Sequence, residues 1–409
     1  MVLVACSGGG TDSTADTTTT STAAPTTTVR PSDGSLVLGV VAPNSGEAAE
    51  LGAAVTNAVD LAVRQINTLG GVNGVPIVAV VRDEGDSTAA ADRAVQELVG
   101  LGVDAIIGPT SSLTLLGTLG TAVDGGVLTC APTATALALD AYPDAGLLLR
   151  TTPSDSLQAS ALARLVEESG NSTAAVVYLD DAYGRPLADS VRRELALEGT
   201  TVVAEVGFTQ DQASIDEAAA TITAASPGAV VVIADNSSGP AIIRVIDSAT
   251  KGVKPTFFVN DPIRRPASTA GAFDADLAQR IFGASPDAYP DSDFTAQLSA
   301  LHPDTPVLFA QNAYDCVMLL ALAAATTRSD DPVAMSAAVA ALTVSGTRCV
   351  DFETCTVAID AGRNIDYDGP GGALSIGPNG DPISAVFDRF GFDEAGRDIS
   401  LGRLVVDNG

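Results

Sequence analysis

The chain has 409 residues, 46% hydrophobic but only 4% aromatic, and its 50 acidic side chains against 21 Lys and Arg give a formal charge of −29. That length exceeds one small core and suits two α/β lobes built from Ala, Val, Leu and Ile. The charge repels phosphate backbones and anionic headgroups, which argues against nucleic acid as a partner, and one His with no Trp leaves little material for metal sites or histidine chemistry, so neither metal nor cofactor is expected.

No apolar run approaches the ~18 residues of a membrane span. Leu3-Val4-Ala5-Cys6 looks like a bacterial lipobox with Cys6 as the lipidated residue, although the basic start and longer apolar core of a full signal peptide are missing. Residues 7–35 are rich in Ser and Thr, a composition that predicts a disordered tether.

From Leu36 the pattern becomes regular. Leu36–Val41 reads as a first strand and ends in a turn-rich loop. Leu51, Val55, Val59, Ala62 and Ile66 recur at helical spacing, and Gly70-Gly71 supplies a stop. Val75–Val81 reads as the next strand, followed by a helix opened by Ser87 or Thr88. Ala105-Ile106-Ile107 is a short apolar run that stops at Gly108-Pro109, and Ser111 and Ser112 open a further helix. Val127-Leu128-Thr129 ends at Thr133 and Thr135. Two neighbouring strands therefore finish in hydroxyl-rich turns, at the edge where open α/β sheets bind ligands. On their own these hydroxyls read best as helix caps.

Leu147–Leu149 closes a β-α-β-α-β-α-β series, which predicts a parallel sheet covered on both faces. Pro153 with Ser154 or Asp155 then marks a first crossing and a new helix start. The plan repeats with strands near 174–179, 201–208, 229–234 and 256–259. Strand ends carry Asp180-Asp181-Ala182-Tyr183, Asp235-Asn236 and Asn260-Asp261. Ile281–Gly283 reads as a return strand with a second crossing, the Gly-rich 369–372 as a third, and 383–390 and 401–406 as closing strands. The expected domains are a leader and tether over 1–35, one lobe over 36–151 plus 283–368, and another over 152–282 plus 369–409. The expected fold is α/β, two doubly wound lobes with parallel sheets joined by a three-crossing hinge. Such lobes can close on a ligand.

Of the five Cys, Cys349 and Cys355 bracket five residues and could close a small loop disulfide in an oxidising compartment; Cys130 and Cys316 could pair or remain buried thiols.

Several stretches, in order, resemble one family: INTLGGVNG at 66–74, VRDEGDS at 81–87, IIGPTSS at 106–112, APTAT at 131–135, RTTPSDSLQ at 150–158, YLDDAYG at 178–184, AYDCVMLLALA at 313–323 and IDYDGPGGALSIGPNGD at 365–381. Together they are similar to type I periplasmic solute-binding proteins of ABC importers, the branched-chain amino acid group. The resemblance implies that Ser112, beside Ser111, takes an α-carboxylate. It implies that the Thr133 carbonyl accepts from the α-ammonium, and that the Thr135 hydroxyl touches both groups. Tyr183 would close over the ligand from the second lobe, and Asp261 would pair the ammonium. Leu51, and Asp235 or Asn236, replace aromatic residues of some relatives, which leaves the side-chain specificity open to a polar amino acid, an amide or another small solute. The resemblance implies an extracytoplasmic, lipid-anchored receptor that delivers its solute to an ABC permease, expected as a monomer. A sensor domain for amino acids or amides is the alternative. No G-x-S-x-G, P-loop or G-x-G-x-x-G pattern supports an enzyme.

Overall fold

The computed structural model describes residues 1–2, 32–46, 48–264, 273–286, 290–307 and 309–407. Cys6 and most of the tether lie outside these residues. The first lobe begins with β1 (Val37–Ala42), α1 (Ala49–Thr68), β2 (Val78–Asp83), α2 (Thr88–Leu101) and β3 (Ala105–Ile107). It continues with α3 (Ser112–Asp124), β4 (Leu128–Ala131) and β5 (Leu148–Arg150). The five strands form one parallel sheet in the order β2-β1-β3-β4-β5. β3 and β4 are buried along their whole length, as strands covered by helices on both faces must be.

The second lobe follows with α4 (Asp155–Glu168), β6 (Thr173–Leu179), α5 (Gly184–Leu197), β7 (Thr201–Phe208), α6 (Gln212–Ala225) and β8 (Ala229–Ile233). Then come α7 (Ser238–Ala249), β9 (Thr256–Val259), the short α8 (Ala275–Ala278) and β10 (Ile281–Ser285). The chain re-enters the first lobe with α9 (Ser292–Leu301), α10 (Ala310–Thr327), α11 (Pro332–Val339), β11 (Thr347–Cys349), α12 (Phe352–Asp360), β12 (Ile365–Gly369) and β13 (Gly372–Ala373). It finishes in the second with β14 (Ser384–Phe392) and β15 (Asp398–Asp407). The seven-stranded second sheet runs β15-β14-β10-β9-β8-β6-β7. β6 to β10 pair in parallel, whereas β14 and β15 close the edge antiparallel.

Two boundaries differ from the sequence reading. β10 pairs with β9 and β14 over 281–285, so the second passage lies beyond Ser285 rather than at 283. The Gly-rich stretch at 369–372 turns β12 into β13, and Leu374 and Ile376 still pack in the first-lobe core, so the third passage lies near Pro382–Ser384. Gly369 has a packing reason instead: a Cβ there would stand 2.0 Å from Asp315 Oδ1.

α10 is the spine of the first lobe, buried continuously from Ala310 to Ala324 against α1, α11 and α12. Cys316 on α10 is bonded to Cys130 on β4, and Cys349 to Cys355. Cys130–Cys316 fastens the spine to the strand whose end carries Ala131.

Candidate functional site

At Gly108, φ is +95°, and a Cβ would meet the Val41 carbonyl oxygen at 2.2 Å, so only Gly lets β3 turn this close to β1. The turn beyond it is held by the buried Glu84, whose carboxylate accepts from Thr110 N (2.9 Å), Thr110 Oγ1 (2.7 Å) and Ser111 N (3.5 Å). Ser111 occupies the N-cap position of α3, yet its hydroxyl makes no capping bond. Ser112 is the first helical residue, and its Oγ accepts from Thr135 N at 3.1 Å and Ala136 N at 3.3 Å. Its O–H therefore keeps a proton to donate elsewhere. Thr133 Oγ1 donates to the Thr110 carbonyl at 2.6 Å. The hydroxyls thus lock the two strand-end turns together and do not cap α3.

Arg150 stabilises this lip from beneath. Its guanidinium is fully buried, with Nε on Asp381 (2.6 Å), one terminal nitrogen on Asp140 (2.6 Å) and the other near the Thr135 and Ala136 carbonyls. Burial opposes its charge, but the two carboxylates more than offset that and raise its pKa further.

The opposite lip belongs to the second lobe and approaches closely. Asp155 N donates to the Thr135 carbonyl at 2.8 Å. Ser154, not Asp155, caps α4 by accepting from Ser156 N, and it also binds Asp140. Asp155 is thereby free to present its carboxylate. Only 1% of the residue is exposed, and neither carboxyl oxygen makes a well-formed hydrogen bond. Burial, then the charge of Asp261, push its pKa up to about 8, against the pull of the Thr135 hydroxyl and Arg150. Asp261 Oδ1 accepts from Gln158 Nε2 at 2.8 Å. Gln158 Oε1 and Asn260 Nδ2 are buried without partners. The half-buried Tyr183 turns its phenol toward Asn260 and Thr135. Burial, with Asp155 and Asp261 adding to it, drives its pKa well above 10, so it stays a neutral donor.

The structure thus places Ser112, Thr133 and Thr135 on two linked strand-end turns, with Tyr183 beside Thr135 and Asp261 beside Asp155. Asp155, Gln158 and Asn260 join them, although the sequence reading assigned them no role in binding. An acid at a helix start reads as a dipole or cap residue, and only contact between the lobes reveals the other use. Two candidates stand apart. Asp235 accepts from the N–H and hydroxyl of Ser237 and Ser238 and from Gln210. Burial works against its charge, but the Ser238 and Ser237 bonds outweigh it and hold its pKa below the usual range. Its oxygens serve the start of α7. Leu51 is half-buried against the first-lobe core. The Asp180-Asp181 pair is likewise structural: Asp180 pairs with Arg185, and Asp181 accepts from Tyr183 N and Gly184 N.

One lip thus carries the Ser112 hydroxyl at the start of α3, and the other carries the Asp155 and Asp261 carboxyl groups. Residues 35–383 match the family model described as periplasmic binding protein. The chemotactic signal transduction system substrate-binding protein BasB of Halobacterium salinarum is 30% identical over 373 residues, 85% of each chain. The Leu/Ile/Val-binding protein BraC3 of Rhizobium johnstonii is 32% identical over 177 residues, 42% of this chain and 47% of its own. Among solved structures, an ABC transporter substrate-binding protein from Desulfitobacterium hafniense in complex with Leu superposes with a TM-score of 0.70 at 20% identity, over 90% of this chain and 100% of that one.

Proposed function

Because this chain belongs to the periplasmic binding protein family, in its type I, leucine/isoleucine/valine-binding kind, we propose that it is an extracytoplasmic receptor for an amino acid or a closely related zwitterion. It captures this solute between its lobes and delivers it to an ABC permease. Cys6 anchors it to the membrane through lipid, and it acts as a monomer without catalysis. The observation that carries the reading is the meeting of hydroxyl donors on one lip with buried carboxyl groups on the other. Ser112 and Thr135 on one lip receive the α-carboxylate, and Asp155 and Asp261 on the other receive the α-ammonium. The Thr133 carbonyl adds an acceptor, and Tyr183 closes over the bound molecule. The unpartnered Asp155 oxygens then acquire the charge-assisted bonds they lack in the free protein.

A sensory role is the second reading, favoured by BasB, whose name places it in chemotactic signal transduction. Both roles need the same cleft; the downstream partner differs. A thermal-shift panel of free amino acids, their amides and small polyols tests the shared claim, since a ligand that binds only the folded state raises its melting temperature. Calorimetry of the best hit against the double variant Ser112→Ala, Thr135→Ala should show affinity weakened more than tenfold, about 1.4 kcal/mol or more, with the fold retained by circular dichroism although two backbone N–H groups lose their acceptor. Unchanged affinity removes the site assignment.

A further inference from the structure

A second polar enclosure lies away from the ligand lips, where all three passages between the lobes meet. Thr151 and Pro153 enter it from the first passage, Pro286 from the second, and Pro382 and Ser384 from the third. α10 forms its floor with Gln311, Asn312 and Asp315. The cavity measures about 50 Å³. One water needs roughly 10–15 Å³ on that measure, so there is room for a small ion and one or two waters.

Its walls are unbalanced in one direction. Asp315 is 4% exposed, and the Tyr367 hydroxyl donates to its Oδ1 at 2.6 Å. No Lys or Arg lines the cavity among the described residues. Asn312 spends its amide N–H on the Thr151 carbonyl at 2.8 Å, and its Oδ1, in a residue 7% exposed, accepts nothing. Gly369 lets the backbone pass close against this carboxylate, since a Cβ would stand 2.0 Å from Oδ1 and 2.4 Å from Oδ2. Asn312 and Asp315 lie three residues apart on α10, so a buried carboxylate and an unpartnered amide oxygen share one helix face, and no cationic side chain lines the cavity among the described residues.

We propose that this enclosure is a binding site for one monovalent metal cation, with the Asp315 carboxylate and Asn312 Oδ1 as protein ligands. Oxygen donors suit a hard cation. A single carboxylate balances a single positive charge, whereas Ca²⁺ calls for six to eight oxygens and usually several carboxylates. The net charge of −29 keeps the local concentration of small cations high. Without the ion, burial pushes the Asp315 carboxyl up to about 8, with the Tyr367 bond opposing and Asp368 adding to the shift. The ion supplies the charge that the fold does not. Seated among the three passages, it also ties them to the first-lobe spine.

Crystals of the full chain soaked in thallium(I) or rubidium salt test this directly. An anomalous peak within coordination distance of Asp315 and Asn312 is expected. A cavity holding only water there overturns the proposal. In solution, K⁺ or Na⁺ should raise the melting temperature saturably relative to tetramethylammonium at equal ionic strength, because the larger ion cannot enter the cavity. Identical melting in all three salts also overturns it. Asp315→Asn should abolish the ion-specific increment; if that variant does not fold, the wild-type soak still decides.

Discussion

Replacing Asp155 with Asn is expected to make the free protein more stable and a poorer receptor. Asp155 is buried where the two lips touch, with its pKa raised from 3.8 to about 8. The folded state therefore holds a proton that the unfolded chain has released above pH 4, and stability falls as pH rises from about 4 to about 8. Four units at 1.36 kcal/mol each put the full penalty on the order of 5 kcal/mol near pH 8. An Asn amide in the same place also needs partners, at ~1–3 kcal/mol, so a net gain of roughly 2–4 kcal/mol remains. Chemical denaturation at pH 5, 6, 7 and 8 should show the variant's advantage growing with pH. In a buffer free of Na⁺ and K⁺, part of the slope should persist in the variant, because Asp315 is then raised by burial in the same way. Calorimetry with the amino acid found in the panel should show at least a tenfold loss of affinity. A variant less stable than wild type at every pH, or one that binds within twofold of it, would refute the reasoning.

Tyr183→Ala should weaken binding mainly by speeding release, since the phenol belongs to the closing lip; stopped-flow dissociation reads this, and an unchanged off-rate counts against the assignment. Arg150→Met strands the Asp381 and Asp140 carboxylates that its buried guanidinium satisfies, so a loss of about 3–5 kcal/mol is expected in urea unfolding. Converting Cys130 and Cys316 together to Ala should lower stability by about 3–5 kcal/mol, because the cross-link spans 186 residues. A loss under ~1 kcal/mol would mean that the packing of α10 on β4 holds without it.

Much of this arrangement was legible in the chain. Short apolar runs ending in Gly, Thr or Asp marked β3, β4, β6, β8 and β9, because a buried parallel strand is a local pattern. The order of strands and helices, in turn, implied two lobes. Ser112, Thr133, Thr135, Tyr183 and Asp261 lie at strand ends, but their binding roles were implied by the family resemblance; pattern alone read the hydroxyls as helix caps. What local pattern could not give was partnership across the cleft. Asp155, Gln158 and Asn260 read as a first-turn acid, a helix residue and a loop residue. The energetics of the first depends on Asp261, 106 positions away. The glycines at 369–372 misled for a similar reason. Their purpose is a turn and a close approach to Asp315, a residue of another element.

A crystal structure of the protein with the amino acid selected by the panel tests the central claim most directly. The account predicts the α-carboxylate at the Ser112 hydroxyl and N–H, and the α-ammonium between Asp155 and Asp261 under Tyr183. A ligand bound outside the cleft, or one whose ammonium touches neither carboxylate, contradicts it.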